Sequence, residues 1–349
     1  MKKYKLKCKI LSPIHVGTGS EIEPFDYIIQ GNKFYKISLE NFLLNLDHKD
    51  RERFDQLVSK NNVNEIRKFI IEKWDAEKYA VEFFCDVSTE VYKVYQENIS
   101  HIENQLLINP FIRSKVNNLP YIPGSTIKGA IRTALISELA KKMNDIENNW
   151  NIEAKILNCQ NDRGFLDPKK DPFRAIKISD GFLALGSTVI LKIVNVSKDK
   201  SGELISLKIQ MLNEVTYSGI SGKNIEFETE MIIDNNLQQT HFLKTIIDIE
   251  AIKKSCNSFY QSKMADEDKD FYRGTSLERT SHDLCLQEFD NNSFLVRLGR
   301  FSGVENVTLD KYRDPNVPRG KSWGKTKNIG EMKYPLGWLK ITFMEVADV

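Results

Sequence analysis

Segments with the periodicity of a strand and segments with the periodicity of a helix follow one another irregularly along this chain. From Lys3 to Ile10, lysines alternate with apolar residues, which predicts a strand with one buried face. From about residue 39 to residue 102, apolar residues recur every three or four positions, which predicts a helical insertion. Because strand and helix segments do not alternate strictly, the pattern favours an α+β fold over a doubly wound parallel sheet.

The chain is long enough for two domains of ordinary size, since it has 349 residues. Three consecutive strands are predicted at Val189–Val196, Leu204–Leu212 and Ile225–Ile233, and the turns between them favour an antiparallel meander or an extended hairpin. No low-complexity linker divides the sequence, and the domain boundary is placed near residue 200. We therefore expect an N-terminal domain over 1–200, which holds the helical insertion, and a C-terminal domain over 201–349.

The composition is that of a globular protein, with 41% hydrophobic and 28% charged residues. The longest stretch without a charged side chain, Val116–Ile127, is far shorter than the roughly 20 residues that span a bilayer. No apolar segment follows the N-terminal lysines, so we expect no secretory signal. The five cysteines are scattered and form no Cys-x-x-Cys pair, which argues against a disulfide scaffold. These features predict a cytoplasmic protein without a membrane anchor.

Positive charge is concentrated near the C-terminus. The stretch Arg297–Lys340 holds ten Lys or Arg against four Asp or Glu, although the net charge of the whole chain is only +2. Tyr312, Trp323 and Trp338 are interleaved with these charges. A basic stretch with aromatic residues suits phosphate contacts and base stacking in a nucleic-acid complex. It also suits a solvated surface with ordinary core aromatics, and the pattern alone leaves both interpretations open.

A glycine-led helix start is the most specific local motif in the sequence. Gly124 permits a tight turn, and Ser125 or Thr126 is expected to cap the helix that follows. Free backbone N–H groups at such a helix end form a ready anion site. Lys128 and Arg132, four residues apart, lie on one helix side and are expected to contact backbone phosphates. The alternative is an ordinary capped amphipathic helix whose cations face solvent.

The segment Ile122–Arg132 resembles the signature of the RAMP superfamily of CRISPR RNA-binding proteins. Three further segments agree with it: Leu11–Gly19, Phe173–Asp180 and Arg297–Gly303. Their order, the helical insertion and the chain length are most similar to the fifth subunit of the type III-A (Csm) effector complex.

The resemblance implies two ferredoxin-like, RRM-related (RAMP) domains, the second with a glycine-rich loop near its C-terminus. It also implies a non-catalytic subunit that binds the CRISPR RNA (crRNA) and caps its 3′ end beside the repeated backbone RAMP subunit. Members of this family are needed for maturation of the crRNA 3′ end, and they are thought to recruit cellular trimming nucleases. The subunit that cuts target RNA is a different one.

The residues expected to contact single-stranded RNA belong to these motifs and to the basic stretch. They are His15, Gly17, Gly124, Ser125, Thr126, Lys128, Arg132, Arg297, Gly299, Arg300, Gly303, Lys321 and Lys325.

Two rival functions remain open at this point. One is a RAMP endoribonuclease that cuts crRNA precursor or target RNA through His15 or Asp26, because imidazole and carboxylate side chains serve as general bases. The other is a scaffold whose basic face contacts only protein. His15 has no evident partner, and Asp26 falls in an amphipathic hairpin, so we expect no catalytic residue. The acidic clusters lack the spacing of metal ligands, so we expect no metal and no cofactor.

Overall fold

The N-terminal and C-terminal strands of the described chain pair with each other. The computed structural model describes residues 1–99, 106–143, 151–217, 224–240, 243–309 and 326–346. Its strands are β1 (Lys2–Ile10), β2 (Tyr27–Gln30), β3 (Lys33–Ile37), β4 (Val81–Val87), β5 (Ile108–Asn109), β6 (Tyr121–Ile122), β7 (Ile176–Ile178), β8 (Gly181–Phe182), β9 (Thr188–Lys198), β10 (Leu204–Thr216), β11 (Glu226–Ile233), β12 (Ser293–Arg297), β13 (Thr326–Gly330) and β14 (Trp338–Val346). Its α-helices are α1 (Leu39–Leu44), α2 (His48–Ser59), α3 (Val63–Lys73), α4 (Thr89–Asn98), α5 (Gly124–Lys141), α6 (Ile152–Ile156), α7 (Asn235–Gln238), α8 (Ile249–Glu267) and α9 (Glu278–Cys285). This mixture confirms the α+β fold class.

The first sheet has the strand order β12-β14-β1-β11-β7 and is antiparallel throughout. One face of β1 is buried in a core that it shares with α5 and α8. On the other face, the lysines of β1 pair with the glutamates of β11, and the Lys5–Glu228 distance is 2.8 Å. The alternation in the sequence therefore predicted this strand correctly, because one face packs on helices and the other meets solvent.

The second sheet has the order β2-β3-β4-β9-β10-β5, and β13 also pairs with β9. The hairpin of β2 and β3 turns at Gly31 as the sequence predicted, with φ +57° at the glycine. The predicted helical insertion over about residues 39–102 contains α1 to α4, but it also contains a strand that was not predicted, because β4 lies between α3 and α4 and pairs with β3 and β9. The burial of β4 alternates along the strand, and Phe84 is an exposed apolar residue on its more exposed face.

Of the two arrangements predicted for these three strands, the extended hairpin is confirmed for β9 and β10, and the three-stranded meander is wrong. β9 and β10 pair with each other, whereas β11 belongs to the first sheet and pairs with β1 and β7. Residue 200 falls in the turn between β9 and β10, and each sheet takes strands from both sides of that position. Within the described residues, no helix is long and apolar enough to cross a bilayer.

Candidate nucleic-acid interface

Three segments that are far apart in sequence line one cleft of about 340 Å³. Gly17 comes from the turn after β1, and Thr126 comes from the first turn of α5. Gly299 and Arg300 come from the loop after β12. With Arg297, the last residue of β12, the fold therefore brings five of the sequence-predicted contact residues to one place, although up to about 280 residues separate them.

Backbone hydrogen bonds hold the N-terminal turn against the loop after β12 and against the residue that precedes β14. The amide of Arg300 donates to the carbonyl of His15 at 3.1 Å, and the amide of Gly337 donates to the carbonyl of Pro13 at 2.9 Å. Gly299 has φ +90°, and a Cβ there would lie 2.3 Å from the His15 carbonyl oxygen. Glycine at 299 is thus required by the contact between two segments of the protein itself.

Arg300 presents an exposed guanidinium at this cleft. Its Nη1 donates to the side-chain oxygen of Asn109 at 2.9 Å, and its guanidinium carbon lies 6.0 Å from the ring centroid of Phe301. Neither partner is charged, and no carboxylate pairs with Arg300 among the described residues. A guanidinium with a neutral partner keeps both its charge and free donors, which suits it to a phosphate.

Arg297, which is also expected to contact RNA, is held by partners within the protein. Only 4% of this residue is exposed. Its guanidinium donates to Glu267 at 2.6 Å and to the carbonyl of Leu336 at 3.0 Å, and it lies 4.7 Å from the ring centroid of Trp338. Every guanidinium nitrogen has a protein partner, because Nη2 also donates to Glu267. RNA contact by Arg297 stays a prediction that requires this buried side chain to exchange partners.

Two cations in the described part of the basic stretch, Arg297 and Lys327, belong to one internal ion-pair network. Lys327 is nearly buried and lies 3.1 Å from Glu305 and 3.6 Å from Glu267. Burial is the largest single influence on the pKa of Glu305 and raises it. The Lys327 charge and hydrogen bond, a backbone hydrogen bond and the Arg297 charge together outweigh burial, so that this pKa lies below its ordinary value. Trp338 belongs to the core, so its predicted role in base stacking is excluded. The predicted contacts Lys321 and Lys325, with Tyr312 and Trp323, lie outside the described residues.

The start of α5 is capped from another part of the chain. Neither Ser125 nor Thr126 caps it, because no side chain of the helix start makes that hydrogen bond. Instead the amide of Gly124 donates to the carboxylate of Asp180 at 2.8 Å. This carboxylate occupies a position that a bound anion would take. A Cβ on Gly124 would lie 2.1 Å from the Ile178 carbonyl oxygen, so the close packing of β7 explains the glycine.

Lys128 and Arg132 also have partners within the protein. Lys128 donates to the carbonyl of Ile176 at 2.8 Å, and burial lowers its pKa. Arg132 forms an ion pair with Asp171 at 2.9 Å and lies 4.9 Å from the ring centroid of Phe173. The RAMP-like segments Ile122–Arg132 and Phe173–Asp180 therefore contact each other. RNA contact by these two cations stays a prediction that requires them to exchange partners.

His15 is a buried, neutral imidazole. It is 2% exposed, its Nδ1 lies 2.6 Å from the carbonyl of Glu214, and burial lowers its pKa to about 4. Since a carbonyl only accepts, Nδ1 carries the proton. Asp26 precedes β2 and lies 3.6 Å from Lys36. Within the described residues, no group of three or more His, Cys, Asp or Glu side chains has the geometry to hold a metal ion.

The family model of the RAMP superfamily matches residues 7–276. That span contains the turn with Gly17, the whole of α5 and β7. The chain belongs to the RAMP superfamily. Two of the three segments that line the cleft of this RAMP protein thus lie within the family match, and the third, the loop after β12, follows it.

Curated relatives of this RAMP protein carry the description "CRISPR system Cms protein Csm5". The relative from Methanocaldococcus jannaschii is 24% identical, over 98% of this chain and 89% of its own length. The relative from Streptococcus thermophilus is 28% identical, over 97% of this chain and 89% of its own length.

Two solved structures share the fold at low sequence identity. A chain of a Csm–crRNA–target RNA ternary complex from a type III-A CRISPR-Cas system has a TM-score of 0.70 and 17% identity, with 99% of this chain and 100% of that chain covered. The crystal structure of Csm5 from T. onnurineus has a TM-score of 0.64 and 18% identity, with 95% and 99% covered.

Proposed function

We propose that this RAMP protein is a non-catalytic, RNA-binding subunit of a type III-A Csm effector complex. The observation that carries the proposal is the cleft beside Arg300, where three motif segments converge. Its relatives are described as Csm5, and a chain of a Csm–crRNA–target RNA complex has the same fold, which supports this choice. By the same analogy the bound RNA is the 3′ end of the crRNA.

The lining of the cleft suits a sugar–phosphate backbone. Gly17, Gly129, Ala130 and Gly299 offer no bulky side chain, so a nucleic-acid backbone approaches closely. Arg300 supplies the positive charge that a phosphate needs. We expect binding to depend strongly on salt and weakly on base identity.

The state of the two candidate bases supports a non-catalytic subunit. His15 is buried and neutral at pH 7, and Glu214 fixes its ring through Nδ1, so it does not reach the 2′-hydroxyl of an RNA in the cleft. Asp26 faces Lys36 and has no role at the cleft lining. We infer that the other Csm subunits, above all the repeated backbone RAMP subunit, are its protein partners in the cytoplasm. Trimming nucleases would then act on the RNA end that this chain covers.

Binding of single-stranded RNA by the full chain tests the proposal. In a salt series followed by fluorescence anisotropy, Arg300→Ala should weaken binding and reduce the slope of log affinity against log salt by about 0.7, because one phosphate contact is lost. Arg279→Ala is the matched control, since Arg279 is an exposed arginine of α9 that does not line the cleft. Equal slopes for wild type and Arg300→Ala would contradict the proposal.

The same variant has an expected effect in cells. Arg300→Ala should leave the fold and assembly intact and give longer or heterogeneous crRNA 3′ ends. If complexes that contain the variant at full occupancy carry crRNA of normal length, this result would count against a role of the chain at the crRNA 3′ end.

A further inference from the structure

Asn306 is a buried amide with one unused hydrogen-bonding atom at the cleft. The residue is 3% exposed and lies in the 3₁₀ turn Val304–Asn306 that follows Gly303. Its Nδ2 donates to the carbonyl of Ser302 at 2.8 Å, and its Oδ1 has no partner among the described residues. Because the carbonyl of Ser302 only accepts, the amide nitrogen must face it, and the oxygen is left as an acceptor. Buried acceptors without a donor are rare and costly in folded proteins.

A donor on a ligand of this cleft would satisfy the Asn306 oxygen. Phosphate oxygens at neutral pH only accept, so the phosphate that Arg300 holds does not satisfy Asn306. The remaining donors of a ribonucleotide are the ribose hydroxyls and the base N–H groups. Proteins that bind the bases of unpaired RNA usually stack them on exposed aromatic rings. Tyr260 is the aromatic residue among the described lining residues, and it is buried.

The ribose is therefore the part of the nucleotide expected to contact Asn306. A ribose lies directly beside its phosphate, and Asn306 lines the same cleft as Arg300 and Gly299. Asn306 also borders a second cleft of about 410 Å³, whose lining includes Asp266, Glu267 and Asp270. Those carboxylates would repel a phosphate, which favours the cleft beside Arg300.

We propose that Asn306 accepts a hydrogen bond from a ribose 2′-hydroxyl and thereby selects RNA over DNA. This inference rests on the proposed function, because it assumes that RNA occupies the cleft. DNA lacks the 2′-hydroxyl, so a DNA strand would leave the Asn306 oxygen buried without a donor. Asn306 is thus a specificity-determining residue that acts beside the cation at Arg300.

Ligand chemistry tests the inference without any change to the protein. The full chain is titrated with fluorescent single-stranded RNA in which one nucleotide at a time is replaced by its 2′-deoxy or 2′-O-methyl analogue, since both remove the 2′ donor. We expect a loss of roughly fivefold to tenfold in affinity at one position and little effect elsewhere. A flat profile would overturn the inference while salt-dependent RNA binding would still support the proposed function.

A variant then assigns the effect to the residue. In Asn306→Leu, the 2′-deoxy penalty at that position should disappear, whereas Thr133→Val should keep it. Thr133 lines the same cleft, but its hydroxyl already donates to the carbonyl of Gly129 at 3.2 Å. The inference would be overturned if the 2′-deoxy penalty were unchanged in Asn306→Leu. It would also be overturned if the affinity depended on the amino group of the base at that position and not on the 2′-hydroxyl. If wild type binds no single-stranded RNA, the proposed function fails together with it.

Discussion

Replacing Arg297 by Met tests whether this arginine at the end of β12 is structural, in contrast to the exposed Arg300 in the loop that follows. Arg297→Met removes the charge and keeps a long side chain beside Trp338. It leaves the buried carboxylate of Glu267 with Lys327, 3.6 Å away, as its remaining cation. The variant is therefore expected to lose stability, because burial of a charge without a close partner is unfavourable.

The size of the loss follows from the burial of the pair. The two side chains are 3% and 4% exposed, so solvent screens them little. Breaking such a pair typically costs about 3–5 kcal/mol. Lys327 still compensates part of the charge of Glu267, so we expect a value near the lower end, about 3 kcal/mol. Arg300→Ala, at an exposed position, should change the free energy of unfolding by less than about 0.5 kcal/mol.

Urea unfolding of the full chain, followed by circular dichroism, measures both changes. A second variant, Arg297→Met with Glu267→Gln, should recover part of the loss because no unpaired charge remains. The reasoning is refuted if Arg297→Met costs less than about 1 kcal/mol, or if Glu267→Gln worsens it.

Stability at low pH depends on His15, whose pKa of about 4 lies below the ordinary 6.5. As the pH falls, the imidazole is protonated in the unfolded state before it is protonated in the folded state. The contribution of neutral His15 to the free energy of unfolding is therefore complete above pH 6.5, and it falls by about 2 kcal/mol between pH 7 and pH 5. His15→Gln should remove that component, and an unchanged pH profile would contradict the burial argument. Arg132→Ala should lower the free energy of unfolding by about 1 kcal/mol, because the partly exposed ion pair with Asp171 is lost. If the slope of log affinity for RNA against log salt also falls by about 0.7 in this variant, the predicted phosphate contact of Arg132 is supported. The isolated chain should not cut RNA, and Asp26→Ala should leave target cleavage by the reconstituted complex intact; loss of cleavage with normal assembly would contradict a non-catalytic chain.

Several single elements were predictable from the sequence, and the pairing of distant strands was not. The alternation of β1 gave its bounds within one residue, and the glycine motif gave the start of α5. β4 was missed although its burial alternates, because the helical periodicity of the segments around it was extended across it. The partner of β11 was also missed, since pairing between distant strands leaves no local signal in a single sequence.

At the site, the sequence indicated the segments correctly but not what each side chain does. Glycine at 124 and 299 marked close approaches, yet the approaching groups are β7 and the His15 carbonyl. The internal partners of Lys128 and Arg132 lie more than 20 residues away in sequence, at Ile176, Asp171 and Glu153. Asn306 belongs to none of the sequence motifs. It was identified from its buried oxygen, which has no partner among the described residues.

The central claim is that the 3′ end of the crRNA occupies the cleft beside Arg300, and site-specific crosslinking tests it most directly. Val307 lines the cleft and is 59% exposed, so a photo-crosslinking amino acid at this position should not disturb the core. In the reconstituted complex, irradiation followed by mapping of the crosslinked nucleotide should place it within the last few nucleotides at the 3′ end of the crRNA, and Arg300→Ala should reduce the yield. Crosslinks to protein alone, or to nucleotides near the 5′ end of the guide, would contradict the claim.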